Sequence, residues 1–107
     1  MGAITRQLKS YARKGGEAFQ VVDMREALSS ALTMMEPQLR QMTVEITQSI
    51  PRQPVLVMAD RLRLEQVIIN LLRNALDAMK GEDLRELDLI IAEGDEVVLT
   101  VRDNGRG

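Results

Sequence analysis

The stretch Glu65–Met79 (EQVIINLLRNALDAM) constrains this chain more than any other. Apolar residues recur through it at helical spacing, so one face of a helix has to be buried against the rest of the molecule. At about 100° per residue, Leu64, Ile68, Leu71, Leu72, Ala75 and Met79 share one side. Arg63, Gln66, Asn70, Arg73, Asn74 and Asp77 form a narrow stripe on the other. Each large aliphatic side chain buried on the first side contributes roughly 1.5–3 kcal/mol. The stripe is less ordinary. Asn is a mediocre helix former, because its side chain competes for backbone hydrogen bonds. A face shaped only for solubility more often carries Lys, Glu or Gln. From the helix alone, a solvated face and a ligand-facing one fit about equally well.

Asp60 stands where the N-cap of this helix belongs, and the helix is expected to run through Lys80 to a C-terminal stop at Gly81. Leu87–Ala92 and Glu96–Arg102 then read as two strands joined by a turn at Glu93-Gly94-Asp95. The chain ends on Asp103-Asn104-Gly105-Arg106-Gly107. Ordinary turn chemistry accounts for Asp-x-Gly after a strand, and taken alone that explanation is the stronger one. The functional reading is an Asp carboxylate that accepts from an exocyclic amine, with glycines that let backbone approach a flat base. An adenine amino group suits such a carboxylate. An amide pair on a helix, a hairpin, then an Asp-x-Gly-x-Gly turn support one another more than any one supports itself.

Upstream, Ile4, Leu8, Tyr11 and Ala12 have helical spacing, so Ile4–Lys14 is expected to be the end of a helix stopped at Gly15-Gly16. Phe19–Val22 reads as a strand. Asp23, with Glu26 three residues on, reads as the cap of a helix over Met24–Gln41 that Pro37 can kink. Val44–Ser49 and Val55–Ala59 read as strands. This order is that of an α+β domain, with a helical layer on a mixed or antiparallel sheet.

Composition removes several function classes. The chain has no histidine, which excludes Ser-His-Asp and Cys-His catalysis, His-bound zinc and any phosphohistidine within these residues. It has no cysteine, hence no disulfide and no thiolate metal site. Tyr11 and Phe19 are its only aromatics and its net charge is −2, a poor basis for binding nucleic acid by stacking or by charge. No apolar run approaches the roughly 20 residues that span a bilayer.

With these residues in hand, the chain resembles the ATP-binding catalytic domain of sensor histidine kinases, of the superfamily that includes the gyrase, Hsp90 and MutL ATPases. Asp60-x-x-x-Leu64-x-Gln66-Val67-x-x-Asn70-Leu71-x-x-Asn74-Ala75-x-x-Ala78 is similar to the family's N box, and Asp103-x-Gly105-x-Gly107 to its G1 box. Leu8–Lys14 resembles the end of the second dimerisation helix, and the overall texture is similar to the C4-dicarboxylate sensing kinases. The resemblance implies a two-layer α/β sandwich (the Bergerat ATP-binding fold), here incomplete. It implies a division into 1–16, end of the dimerisation helix and linker, and 17–107, the N-terminal part of the ATP-binding domain.

Carried over by position, the resemblance implies that ATP and Mg²⁺ are the ligands. Asn74 is the Mg²⁺ ligand, and Asn70 the neighbouring polar group near the phosphates. Arg73 is placed to neutralise phosphate charge, Asp77 is a weaker contact, and Lys80 reads as a helix-end cation. Asp103 reads the adenine amine, and Gly105 and Gly107 shape the base pocket. Where the gyrase-like ATPases carry a water-activating Glu, an amide at Asn70 cannot act as a base, which favours phosphotransfer over hydrolysis.

The phosphoacceptor histidine, the second glycine box, the lid and the later strands are not among these 107 residues. No catalytic residue is therefore assigned, and the 107 residues are expected to be part of a larger protein. Alone they are expected to bind ATP weakly or not at all, and to pair through an open sheet edge into a homo-oligomer, simple or swapped. The implied parent is an inner-membrane sensor with this domain in the cytoplasm. Its partners are its own dimerisation domain and a response regulator, and nucleic acid is not among them. Two alternatives stand beside this reading: a gyrase/Hsp90/MutL-like ATPase, and a non-catalytic dimerising module.

Overall fold

The computed structural model describes residues 4–10 and 19–105. Its elements are β1 (Ile4–Ser10), β2 (Gln20–Asp23), α1 (Met24–Gln41), β3 (Glu45–Ser49), β4 (Leu56–Ala59), α2 (Arg61–Met79), β5 (Glu86–Glu93) and β6 (Val97–Asp103). A four-stranded mixed sheet has the order β1-β6-β5-β3, with β3 parallel to β5 and the other neighbours antiparallel. A separate antiparallel pair joins β2 to β4. The helices form the second layer, so the α+β sandwich expected from the element order is the one found.

Alternation along the hairpin strands builds the sheet side of the core. Leu87, Leu89 and Ile91 of β5 and Val97, Leu99 and Val101 of β6 are buried, while their neighbours are not. Leu64, Ile68, Leu72, Ala75 and Met79 of α2 meet them, and Leu28, Ala31 and Met35 of α1 close the cluster. The apolar side of α2 is thus the side that periodicity assigned; only Leu71 stays partly exposed.

Both helices begin as the sequence expects. Asp23 accepts from the Arg25 N–H at 3.0 Å, and Asp60 from the N–H groups of Leu62 at 3.1 Å and Arg63 at 3.4 Å. Glu26 pairs with Arg61 at 3.8 Å, across to α2. Pro37 does not end α1, which runs on to Gln41. At the end of α2, Gly81 takes φ +89°, the left-handed conformation that glycine adopts without cost.

The first element differs from expectation. Ile4–Ser10 is a strand, paired residue for residue with Asp103–Val97, and not the end of a helix. A spacing of four residues, as between positions 4 and 8, returns to nearly the same side of a helix and to the same face of a strand. The pattern therefore cannot choose between the two, and pairing with β6 decides. The rest of that expected helix, 11–14, lies outside the described residues. One consequence is that β6 is not an open edge. The edges of the large sheet are β1 and β3, and all five residues of β3 are exposed.

Candidate functional site

The stripe on α2 lies where periodicity placed it. Asn70, Arg73, Asn74 and Asp77 are all exposed, on the side of the helix away from the core. Among the described residues, the Asn70 and Asn74 side chains make no hydrogen bond to protein, so both amides are available to a ligand. Asp77 holds Lys80 at 3.3 Å in an exposed pair, an interaction of little energetic weight. Lys80 thus serves the helix end. The backbone under the amides is rigid, because the opposite side of α2 is packed into the core.

The turn after β6 is more constrained. Asp103 ends the strand with its side chain fully enclosed. Its Oδ1 accepts the Gly105 N–H at 2.8 Å, and its Oδ2 accepts Arg6 Nη1 of β1 at 2.5 Å. The neighbouring Asn104 takes the Glu86 N–H on its Oδ1 at 3.0 Å and donates through Nδ2 to the Leu84 carbonyl at 2.7 Å. The turn is thereby tied to the start of β5. Gly105 lies directly on α2, and a Cβ there would stand 2.3 Å from the Ala78 carbonyl oxygen. Only glycine allows that approach.

This contact joins the two sequence motifs. Ala78 is one turn beyond Asn74 on the helix that carries the amide stripe, so the Asp103 turn is seated on the last turn of that helix. The structure brings Asp103 and Gly105 together with α2, while Asn70, Asn74 and Arg73 stand on the exposed side of the same helix. Gly107 lies outside the described residues. Sequence reasoning missed two participants. Asn104 read as a turn residue, yet it pins the turn to the β5 start. Arg6 falls in the segment expected to be a helix, and because the pattern of residues 4–10 suits helix and strand alike, no sequence signal placed it beside Asp103.

A carboxylate elsewhere in the fold shows what a purely structural role looks like. Arg25 binds Asp23 with its side chain, Nη2 to Oδ2 at 2.8 Å, and the Val55 N–H reaches Oδ1 at 3.0 Å. The Arg25 side chain, with the N–H groups of Val55 and Arg25, outweighs burial and holds the carboxyl down at about 2.

The donor set has a bearing on metal. Among the described residues no three acidic groups cluster as a cation cage. A magnesium ion seldom uses such a cage beside a nucleotide; it keeps waters and phosphate oxygens and takes one or two protein ligands. A free Asn74 amide oxygen on the exposed stripe fits that requirement.

Residues 59–107 match the family model described as "Histidine kinase-, DNA gyrase B-, and HSP90-like ATPase". Over its full length the chain is 39% identical to the C4-dicarboxylate transport sensor protein DctB of Pseudomonas aeruginosa, of which it spans 18%. The fold is similar to the catalytic domain of histidine kinase ThkA, with a TM-score of 0.62 at 14% identity over 81% of this chain and 95% of that one. It is also similar to the mycobacterial sensor histidine kinase MprB, with a TM-score of 0.66 at 22% identity over 83% of this chain and 57% of that one. At these identities the structural likeness speaks for the fold. Sequence and fold agree: residues 59–107 are similar to the histidine kinase-, DNA gyrase B- and HSP90-like ATPase family, and the fold is similar to that of histidine kinase catalytic domains.

Proposed function

We propose that this chain is the ATP-binding part of a two-component sensor histidine kinase. The complete protein would transfer the γ-phosphoryl group of ATP to a histidine outside these residues, and onward to a response regulator. The single observation that carries the reading is the seat of Gly105 on Ala78, which places an Asp-x-Gly turn on the helix bearing two free amides. In this reading Asp103 accepts from the adenine amine, and Gly105 and Gly107 shape the base pocket. Asn74 holds Mg²⁺, and Asn70 and Arg73 address the phosphates, with Asp77 at their margin. The bound metal would neutralise phosphate charge. The family also contains hydrolysing ATPases; the amide at position 70 cannot take a proton from water, which favours transfer to a protein acceptor.

ATP is a cytoplasmic nucleotide, so we place the domain on that side of the membrane. Among the described residues no helix is long and apolar enough to cross a membrane. Residues 17–107 would constitute the ATP-binding portion and 1–16 its approach from a dimerisation domain. A homo-oligomer would use the exposed β3 edge, and a monomeric mass by light scattering would refute it.

The test is titration with a fluorescent ATP analogue, with and without Mg²⁺, beside Asp103→Asn. Mg²⁺-dependent binding that weakens about tenfold or more in the variant is expected, the range for a charge-assisted hydrogen bond. Binding that is indifferent to both the metal and the variant would refute the assigned site.

A further inference from the structure

The enclosure of Asp103 has a consequence for any ligand that uses it. Arg6 stands opposite Val101 in the β1–β6 ladder, one diagonal step from Asp103, on the face of the sheet that carries Val101 and Leu99. From there its guanidinium covers Oδ2, while the Gly105 N–H takes Oδ1. No part of the Asp103 side chain is exposed, whereas that of its partner Arg6 is 21% exposed. An incoming amine thus meets a carboxylate whose Oδ2 is already held by Arg6 and whose Oδ1 is held by the Gly105 N–H.

Apart from its ladder to β6, the strand that delivers Arg6 has little to hold it. Leu8 is its one described side chain packed on the core, and it remains partly exposed. The strand lies at the edge of the sheet, paired on one side only. Its residue pattern also satisfies a helix, so leaving the sheet does not commit it to an unstructured state. These are the properties of a two-state element.

We infer that Arg6 is an internal competitor for Asp103: strand β1 and the adenine amine occupy the same carboxylate in turn, so that docking of β1 closes the nucleotide site and its release opens it. The inference rests on the nucleotide reading of Asp103. Affinity for nucleotide is then lowered by the fraction of chains in which β1 is docked. Conversely, nucleotide expels the strand, because coupling between two sites is reciprocal.

The test uses three chains, the unaltered one, Arg6→Ala and Leu8→Asp, with the fluorescent ATP analogue and Mg²⁺. Leu8→Asp loosens the strand and leaves Arg6 and Asp103 intact, so it covers the case in which Arg6→Ala, by leaving a buried carboxylate unpaired, fails to fold. Both variants are expected to bind more tightly, by about tenfold to a hundredfold, the range for one charge-assisted hydrogen bond. An inosine analogue, with a carbonyl in place of the amine, should gain nothing. In the unaltered chain, saturating nucleotide should speed hydrogen exchange of the β1 amides and of the β6 amides that face them, while β5 keeps its protection. Equal affinities in the three chains, with β1 still protected when nucleotide is bound, would overturn the competition and leave the nucleotide site standing. No binding in any chain would overturn the competition, because freeing the carboxylate would then gain nothing.

Discussion

Among the described residues Asp23 and Asp103 are the two buried carboxylates, and each sits at the end of a strand with an arginine and a backbone N–H as partners. They differ in where those partners come from. Arg25 is two residues from Asp23 on the first turn of α1, and Val55 belongs to the segment that enters β4, beside β2. The Met24 N–H also reaches the Val55 carbonyl at 2.7 Å, so the carboxylate is clamped by structure that α1 and the strand pair already fix. Asp103 takes its arginine from the opposite end of the chain, on an edge strand. A carboxylate saturated by its own framework is a rivet. One saturated by a removable strand is a site with something on it.

The sharpest way to break this contrast is to remove the rivet. Asp23→Ala deletes an N-cap and leaves the buried Val55 N–H without its partner, so a loss of about 3 kcal/mol in denaturant unfolding is expected. A loss below about 1 kcal/mol would mean that the Asp23 contacts do not hold α1 to the strand pair. Gly105→Ala probes the other carboxylate through its seat. The new Cβ meets the Ala78 backbone, so the turn must lift from α2 at a cost of about 2 kcal/mol, with nucleotide affinity lost as Asp103 moves. Retained affinity would separate the turn from the ligand.

Acid should act on the first carboxylate. The folded-state value of Asp23, about 2, lies below the ordinary 3.8, so its contribution is complete above that ordinary value and disappears as the pH falls from about 4 toward 2. On the order of 1–2 kcal/mol, allowing for screening through the partly exposed Arg25, should be lost in that window, and Asp23→Asn should flatten this part of the profile. The smallest expected effect is the most selective. Asn74→Ala is an exposed change and should leave stability within about 0.5 kcal/mol, while removing the advantage that Mg²⁺ gives to nucleotide binding. Unchanged Mg²⁺ dependence would move the metal to another residue.

Local periodicity and capping chemistry determined much of this protein. The two sides of α2, its Asp60 cap, the span of α1 and the β5–β6 hairpin were legible because each depends on residues a few positions apart. The amide stripe and the Asp-x-Gly-x-Gly turn were legible for the same reason, as was the family they resemble. What only the tertiary structure decided are the encounters between distant segments. The pairing of Ile4–Ser10 with β6, the Arg6 guanidinium on Asp103 and the seat of Gly105 on Ala78 are of this kind. The segment at the start of the chain carries a pattern that serves helix and strand alike. Its conformation is chosen by the edge it finds, since hydrogen bonds to a neighbouring strand are a property of the assembled sheet and not of the segment.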